Sequence, residues 1–197
     1  MKRLVLAVLA LAAAPALAQT STWKIDPAHA HASFTVRHLV ITNVRGEFGK
    51  TEGMLTLDEG DVTRSKVEAT IDVSSIDTRE EKRDAHLKSP DFFDVAKYPK
   101  MTFRSTKVEK AGDGRLKVTG DLTLRGVTKS VVLDVSGPTK EIKDPWGNAR
   151  RGVSVTGAIN RQDFGVSWSK LIEAGPVVGD EVKIEIEAEL LKEQAKK

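Results

Sequence analysis

The chain has 197 residues, no cysteine, ten aromatic side chains and a formal net charge of +3. Without cysteine there is no disulfide framework, no thiolate metal site and no thiol nucleophile. Lys2 and Arg3 account for two of the surplus charges, so the sequence lacks the clustered basic face that nucleic-acid binding requires.

Taken in chain order, Met1-Lys2-Arg3 is a positive opening, Leu4 to Ala14 an unbroken apolar run, and Pro15 precedes the small-residue site Ala16-Leu17-Ala18. This pattern predicts a secretory signal peptide over residues 1–18, cleaved after Ala18. A helix of that apolar length reaches only ~16 Å, about half a bilayer core, which argues against a membrane span. Cleavage leaves residues 19–197 as one domain of net charge +1, without repeat, linker or cysteine for a lipid anchor. The compartment implied is the periplasm, with full secretion left open.

Period-two alternation dominates the rest. Ala32, Phe34, Val36 and His38 share a parity, and a strand is expected from about Gly46 to Leu57. Val67, Ala69, Ile71 and Val73 alternate with charged or polar residues. Thr78 with Glu81 reads as a capping box opening a polar helix from Arg79 to about Lys88. Ser89-Pro90 reads as a second N-cap, so the helical segment runs around residues 79–93 and ends on Phe92 and Phe93 as a plug or lid. Met101, Phe103 and Ser105 resume the alternation, followed by Leu116 to Leu124, Val131 to Val135, Val153 to Ile159 and Val182 to Leu190. Turn signals at Glu59-Gly60-Asp61, Gly112-Asp113-Gly114, Arg125-Gly126-Val127 and Pro145-Trp146-Gly147-Asn148 separate them.

About eight strands, each with one apolar and one charged face, predict an all-β antiparallel fold. A sandwich would satisfy the alternation, but closing into an eight-stranded barrel also removes exposed edges. Small residues on the inward parity (Ala32, Ala69, Ser105, Gly120, Gly157, Ala188) favour an apolar cavity over a filled core. An outer-membrane barrel is disfavoured: the aromatics form no girdles at strand ends, and residues 192–197 are polar.

Several runs resemble the YceI-like family: Trp23-Lys24-Ile25-Asp26, Phe34-Thr35-Val36-Arg37-His38, Val44-Arg45-Gly46-Glu47-Phe48 and, most specifically, Arg83 to Asp94 with Tyr98-Pro99. Gly120 to Thr128 and Asn160-Arg161-Gln162-Asp163-Phe164-Gly165 extend the match in order along the domain. The resemblance implies a lipocalin-like barrel that holds a polyisoprenoid, an isoprenoid quinone or polyprenyl lipid, usually in the periplasm. No G-x-S-x-G, H-E-x-x-H or P-loop motif is present, so neither enzyme activity nor a cofactor is expected.

On this reading Phe34, Phe48, Ile71, Phe92, Phe103, Leu122, Leu133 and Ile159 line the cavity. His38 is either a satisfied core histidine or a headgroup contact. Arg161 either pins the following loop, with an acceptor such as Asp163 or a backbone carbonyl, or meets a polar ligand group. Trp168 either caps the mouth or packs under its loop. His29 and His31 have a spacing used in metal sites, but no carboxylate is obviously paired with them in the sequence. Ser167-Trp168-Ser169-Lys170 lacks the companion motifs of the enzymes that use that spacing. A scaffold for interaction or stress protection is the alternative function, with a metal-dependent enzyme a third. Transient membrane contact and homodimer formation stay open.

Overall fold

The computed structural model describes residues 20–194. The expected signal peptide lies outside these. Thirteen strands form in chain order: β1 Thr20–His38, β2 Thr42–Phe48, β3 Thr51–Asp58, β4 Lys66–Asp72, β5 Ile76–Asp77, β6 Lys100–Lys110, β7 Arg115–Leu124, β8 Val127–Ser136, β9 Ile142–Lys143, β10 Ala149–Asn160, β11 Leu171–Ile172, β12 Gly175–Pro176 and β13 Val178–Lys192. Eight of them, in the order β13-β10-β8-β7-β6-β4-β3-β1, form an antiparallel ring that β1 closes by pairing with β13. All-β and eight-stranded is therefore the architecture, with short extra strands and one helix.

Alternation determines which face turns inward. On β13, Val182, Ile184 and Ile186 point into the barrel, while the intervening Lys183, Glu185 and Glu187 are exposed. In the closing seam Val36 lies opposite Val182, Phe34 opposite Ile184 and Ala32 opposite Ile186. A one-residue slip would turn these apolar side chains to water, so the register is strongly specified. The β1 register shifts between Ile25 and Ala30. That irregularity bends β1, whose first half pairs with β3 and whose second half pairs with β2.

The strand expected from Gly46 to Leu57 is broken at Gly49-Lys50 into β2 and β3, which follow one another along β1. Between β7 and β8 the turn is a two-residue one, with Arg125 at φ 50° and Gly126 at φ 75°, the left-handed pair that a tight hairpin prefers.

The helix, α1 Glu81–Lys88, starts later than the capping-box reading placed it. Its N-cap is Glu80, whose carboxylate accepts from the Lys82 and Arg83 amides. Thr78 is buried and otherwise engaged: its hydroxyl donates to Asp84 (2.5 Å) and accepts from Arg83 Nε (2.7 Å). Ser89 is the helix C-cap rather than a second N-cap, and residues 90–97 follow as turns. No residue of α1 is fully buried, in keeping with a helix laid across the barrel end.

The two ends differ. Trp23, Leu55, Leu57 and Leu190 pack into a buried cluster at the end where the chain enters β1. At the other end, α1 and the turns after it, a 3-10 turn at Arg161–Phe164 and the segment around β11 and β12 form a lid.

Candidate functional site

An apolar cavity of about 290 Å³ occupies the barrel, walled by all eight ring strands and by Leu87, Phe92, Phe93 and Val166 from the lid. Its volume falls just below the ~300–1,000 Å³ typical of small-molecule sites. The wall's polar members are Thr51, Ser65, Thr102 and Arg161. Ser65 is committed to the Asp58 amide. No nucleophile paired with a base faces the cavity among the described residues.

Phe34, Phe48, Ile71, Phe92, Phe103, Leu122, Leu133, Ile159 and Arg161 all belong to this wall. His38 and Trp168 do not. His38 ends β1 opposite Val178, half-buried and just beyond the wall residue Val36. Trp168 packs behind the wall, its ring 5.2 Å from Phe92 and 5.0 Å from His86, while His86 stands edge-on to Phe92 at 5.0 Å. The lid is thus two aromatic layers thick at this point, Phe92 facing the cavity and Trp168 covering it. A second aromatic chain, Phe34–Phe48–Phe93 with centroids 5.6 and 6.1 Å apart, joins the ring to the lid.

Small inward residues contribute less open space than the sequence implied. A Cβ at Gly120 would overlap the Phe103 ring and the Arg104 carbonyl oxygen. Gly46 similarly receives the Phe34 ring, and Gly157 the end of Leu133. These glycines are sockets for neighbouring large side chains, as when an aromatic covers a glycine on the next strand. Ser105 sits beside a register shift and accepts from the Val67 amide. Ala32, Ala69 and Ala188 do line the cavity.

Arg161 is 4% exposed and fully engaged. Its guanidinium donates to the carbonyls of Val166 (2.6 Å), Trp168 (2.8 Å), Gly179 (2.9 Å) and Val178 (3.3 Å), and to Asp180 Oδ1 (3.0 Å). Asp163 is not among these acceptors. Burial pulls the Arg161 pKa below the ordinary guanidinium range, and Asp180 pulls it back up. The side chain stays charged and ties the segment from Val166 to Asp180 to the end of β10. Arg125 does the same from the β7–β8 turn, donating to the Pro90 and Gly165 carbonyls.

Outside the barrel, His29 has two carboxylate partners, one three residues before it in sequence and one across the β1–β13 seam. Its Nδ1 lies 2.9 Å from Asp26 Oδ2 and 4.0 Å from Glu189 Oε2. Asp26, His29 and Glu189 are close enough to share a cation. Arg150 already bridges the two carboxylates, however, at 2.8 Å to Asp26 and 2.6 Å to Glu189. His29 and Arg150 hold the Asp26 pKa down to about 2. Arg150 is itself held above its usual range, chiefly by Asp144. His31 faces Glu187 across β1 and β13 and takes no part. The cluster reads as an ion-pair network joining β1, β10 and β13.

A closed antiparallel barrel with an apolar, lidded interior defines the lipocalin-like class. Residues 23–190 match the YceI-like domain. The chain belongs to the YceI-like family. A UPF0312 protein of Vibrio parahaemolyticus is 38% identical over 182 residues, covering 91% of each chain. Burkholderia cenocepacia BcnA superposes with a TM-score of 0.73 at 25% identity, over 84% of this chain and 98% of that one. A polyisoprenoid binding domain from Saccharophagus degradans, at 15% identity, shares the fold with a TM-score of 0.61 over 87% and 98% of the two chains.

Proposed function

We propose that the protein is a non-enzymatic, periplasmic lipid binder that holds the tail of an isoprenoid quinone or polyprenyl lipid in its barrel. The observation that carries this is the cavity, apolar on every ring strand and roofed by Phe92 and Phe93. The fold-level likeness to a polyisoprenoid binding domain agrees with it. Burying one methylene is worth ~0.8 kcal/mol, so three or four five-carbon units reach micromolar affinity after association costs. A cavity of about 290 Å³ suits a short segment of such a chain, and a longer tail requires the lid to move outward. Phe34, Phe103 and Leu122 would contact the tail, while Arg161 would hold the lid rather than the headgroup.

Organic extraction of the purified domain, followed by mass spectrometry, should yield a copurified isoprenoid. Ala69→Phe, which fills the cavity from the wall, should abolish it while the fold persists. An empty extract, together with no uptake of an added isoprenoid quinone, would overturn the reading. N-terminal sequencing of the exported protein should find Gln19 first.

A further inference from the structure

The cavity wall ends at Val36 and Val178, one step below two chain tips that meet at the rim. One is the β1–β2 hairpin, Leu39-Val40-Ile41; the other is the β11–β12 hairpin. They are tied together by the Leu39 amide donating to the Val177 carbonyl (2.9 Å) and the Val177 amide donating to the Lys170 carbonyl (2.8 Å). Gly175 lies against the Val40 side chain. Both tips end in aliphatic residues left in water: Ile41 is 74% exposed and Leu171 83%, with Val40 and Ile172 near half. Such a pair of adjacent apolar tips marks an interaction surface rather than a scattered surface residue.

The hairpin backbone points the same way. Leu39 and Val40 sit at φ 51° and 64°, a left-handed conformation that costs a β-branched residue more than almost any other. Asn-Gly would meet the turn's needs without strain. Large aliphatic side chains stand there instead, at a conformational cost, and Val40 still leaves 44% of its surface in water. The tips are also flanked by cations. Arg37, whose Nε donates to the Val40 carbonyl, and Lys170 are exposed and have no carboxylate within ion-pair distance among the described residues. Glu173, in the β11–β12 turn, is the nearby acid in sequence.

We infer that this rim is a docking surface for a lipid bilayer with anionic headgroups. Val40, Ile41, Leu171 and Ile172 enter the headgroup boundary, and Arg37 and Lys170 meet the lipid phosphates, the combination that interfacial binding requires. Docked this way, the barrel end beside Val36 and Val178 faces the membrane, so an apolar tail moving between bilayer and cavity passes His38 at the rim. The inference rests on the lipid-binding reading for its purpose, but its surface chemistry is tested separately.

The test is flotation of the domain with vesicles of phosphatidylethanolamine and phosphatidylglycerol, against phosphatidylcholine vesicles. Wild type should float with the anionic vesicles, less so at high salt. Leu39→Asn/Val40→Gly/Ile41→Ser combined with Leu171→Ser should lose at least tenfold in partitioning, with extracted isoprenoid content preserved and melting temperature equal or higher. Ile41→Ser alone, at a fully accessible tip, should show a smaller loss and guards against misfolding of the combined variant. Equal flotation of wild type and variants, or none by wild type at any composition, would overturn the docking surface. So would a wild-type dimer that the substitutions dissociate without any vesicle binding, since the occupant is then a second copy. Flotation by a protein that carries no isoprenoid would leave the docking surface standing and remove the proposed cargo.

Discussion

Both ends of the barrel are packed with apolar side chains, Phe92, Leu124, Phe164 and Val166 forming a buried cluster at the lid end, but they differ in what else holds them. At the closed end Trp23 is fully buried against Leu55, Leu57 and Leu190, with the Arg151 and Lys192 cations over its ring at 4.9 and 5.3 Å. At the lid end the segments after β10 are held by Arg161 and Arg125 through backbone carbonyls. Packing of the first kind is lost only by unfolding the strands that supply it. Carbonyls gripped by a guanidinium can be released together while the ring stays intact. The lid end, where loop carbonyls rather than strands are gripped, is therefore expected to open more readily than the closed end.

The largest expected effect tests the closed end. Trp23→Ala should cost about 3–5 kcal/mol in urea unfolding, by removing a buried aromatic that the ring cannot collapse around. Next is Arg161→Met, which leaves several carbonyls and Asp180 without their donor and should cost about 3 kcal/mol. Hydrogen exchange should then accelerate around residues 165–180, whereas the amides around Trp23 and Leu190 keep their protection. Uniform acceleration at both ends would erase the distinction drawn here.

Acid provides a subtler probe of the ion-pair network near the closed end. Asp26 titrates near 2 when folded, against an unfolded value near 3.9. A depressed carboxylate stabilises the fold above its unfolded pKa, and that stabilisation fades as pH falls from about 4 through 2. Melting temperature measured across this window should drop less steeply in Asp26→Asn than in wild type, with the variant the less stable protein at pH 7. The smallest effect concerns Thr51, whose buried hydroxyl has no hydrogen-bond partner among the described residues. Thr51→Val should raise stability by about 1 kcal/mol in the same urea assay, because it removes an uncompensated polar atom without changing shape.

The ring strands were legible because each has one wet face, and that period-two signal is local. What depends on pairing was hidden. Gly120 and Gly157 read as open space until the register put Phe103 and Leu133 against them. The Asp26 partner of His29 lies three residues before it and was open to a local reading, whereas Glu189 reaches it only through the β1–β13 seam. Thr78 looked like a helix cap because its burial and its Arg83 and Asp84 partners are tertiary facts, which left the cap to Glu80. Arg161 showed its loop-pinning option in sequence, but the acceptors lie on both sides of β11 and β12, and Asp163 beside it is not one of them.

The seam between β1 and β13 also governs how the chain reaches this state. Trp23 lies opposite Lys192 and Val36 opposite Val182, so the first strand's partner is the last strand made. Closure of the ring therefore waits for the whole domain, and pairing of such distant segments is slow, on the order of milliseconds to seconds. Until then β1 and β10 both present open edges that invite association with other chains. A chain truncated before Val178 would remain in that condition, with hairpins formed but no ring to shelter them.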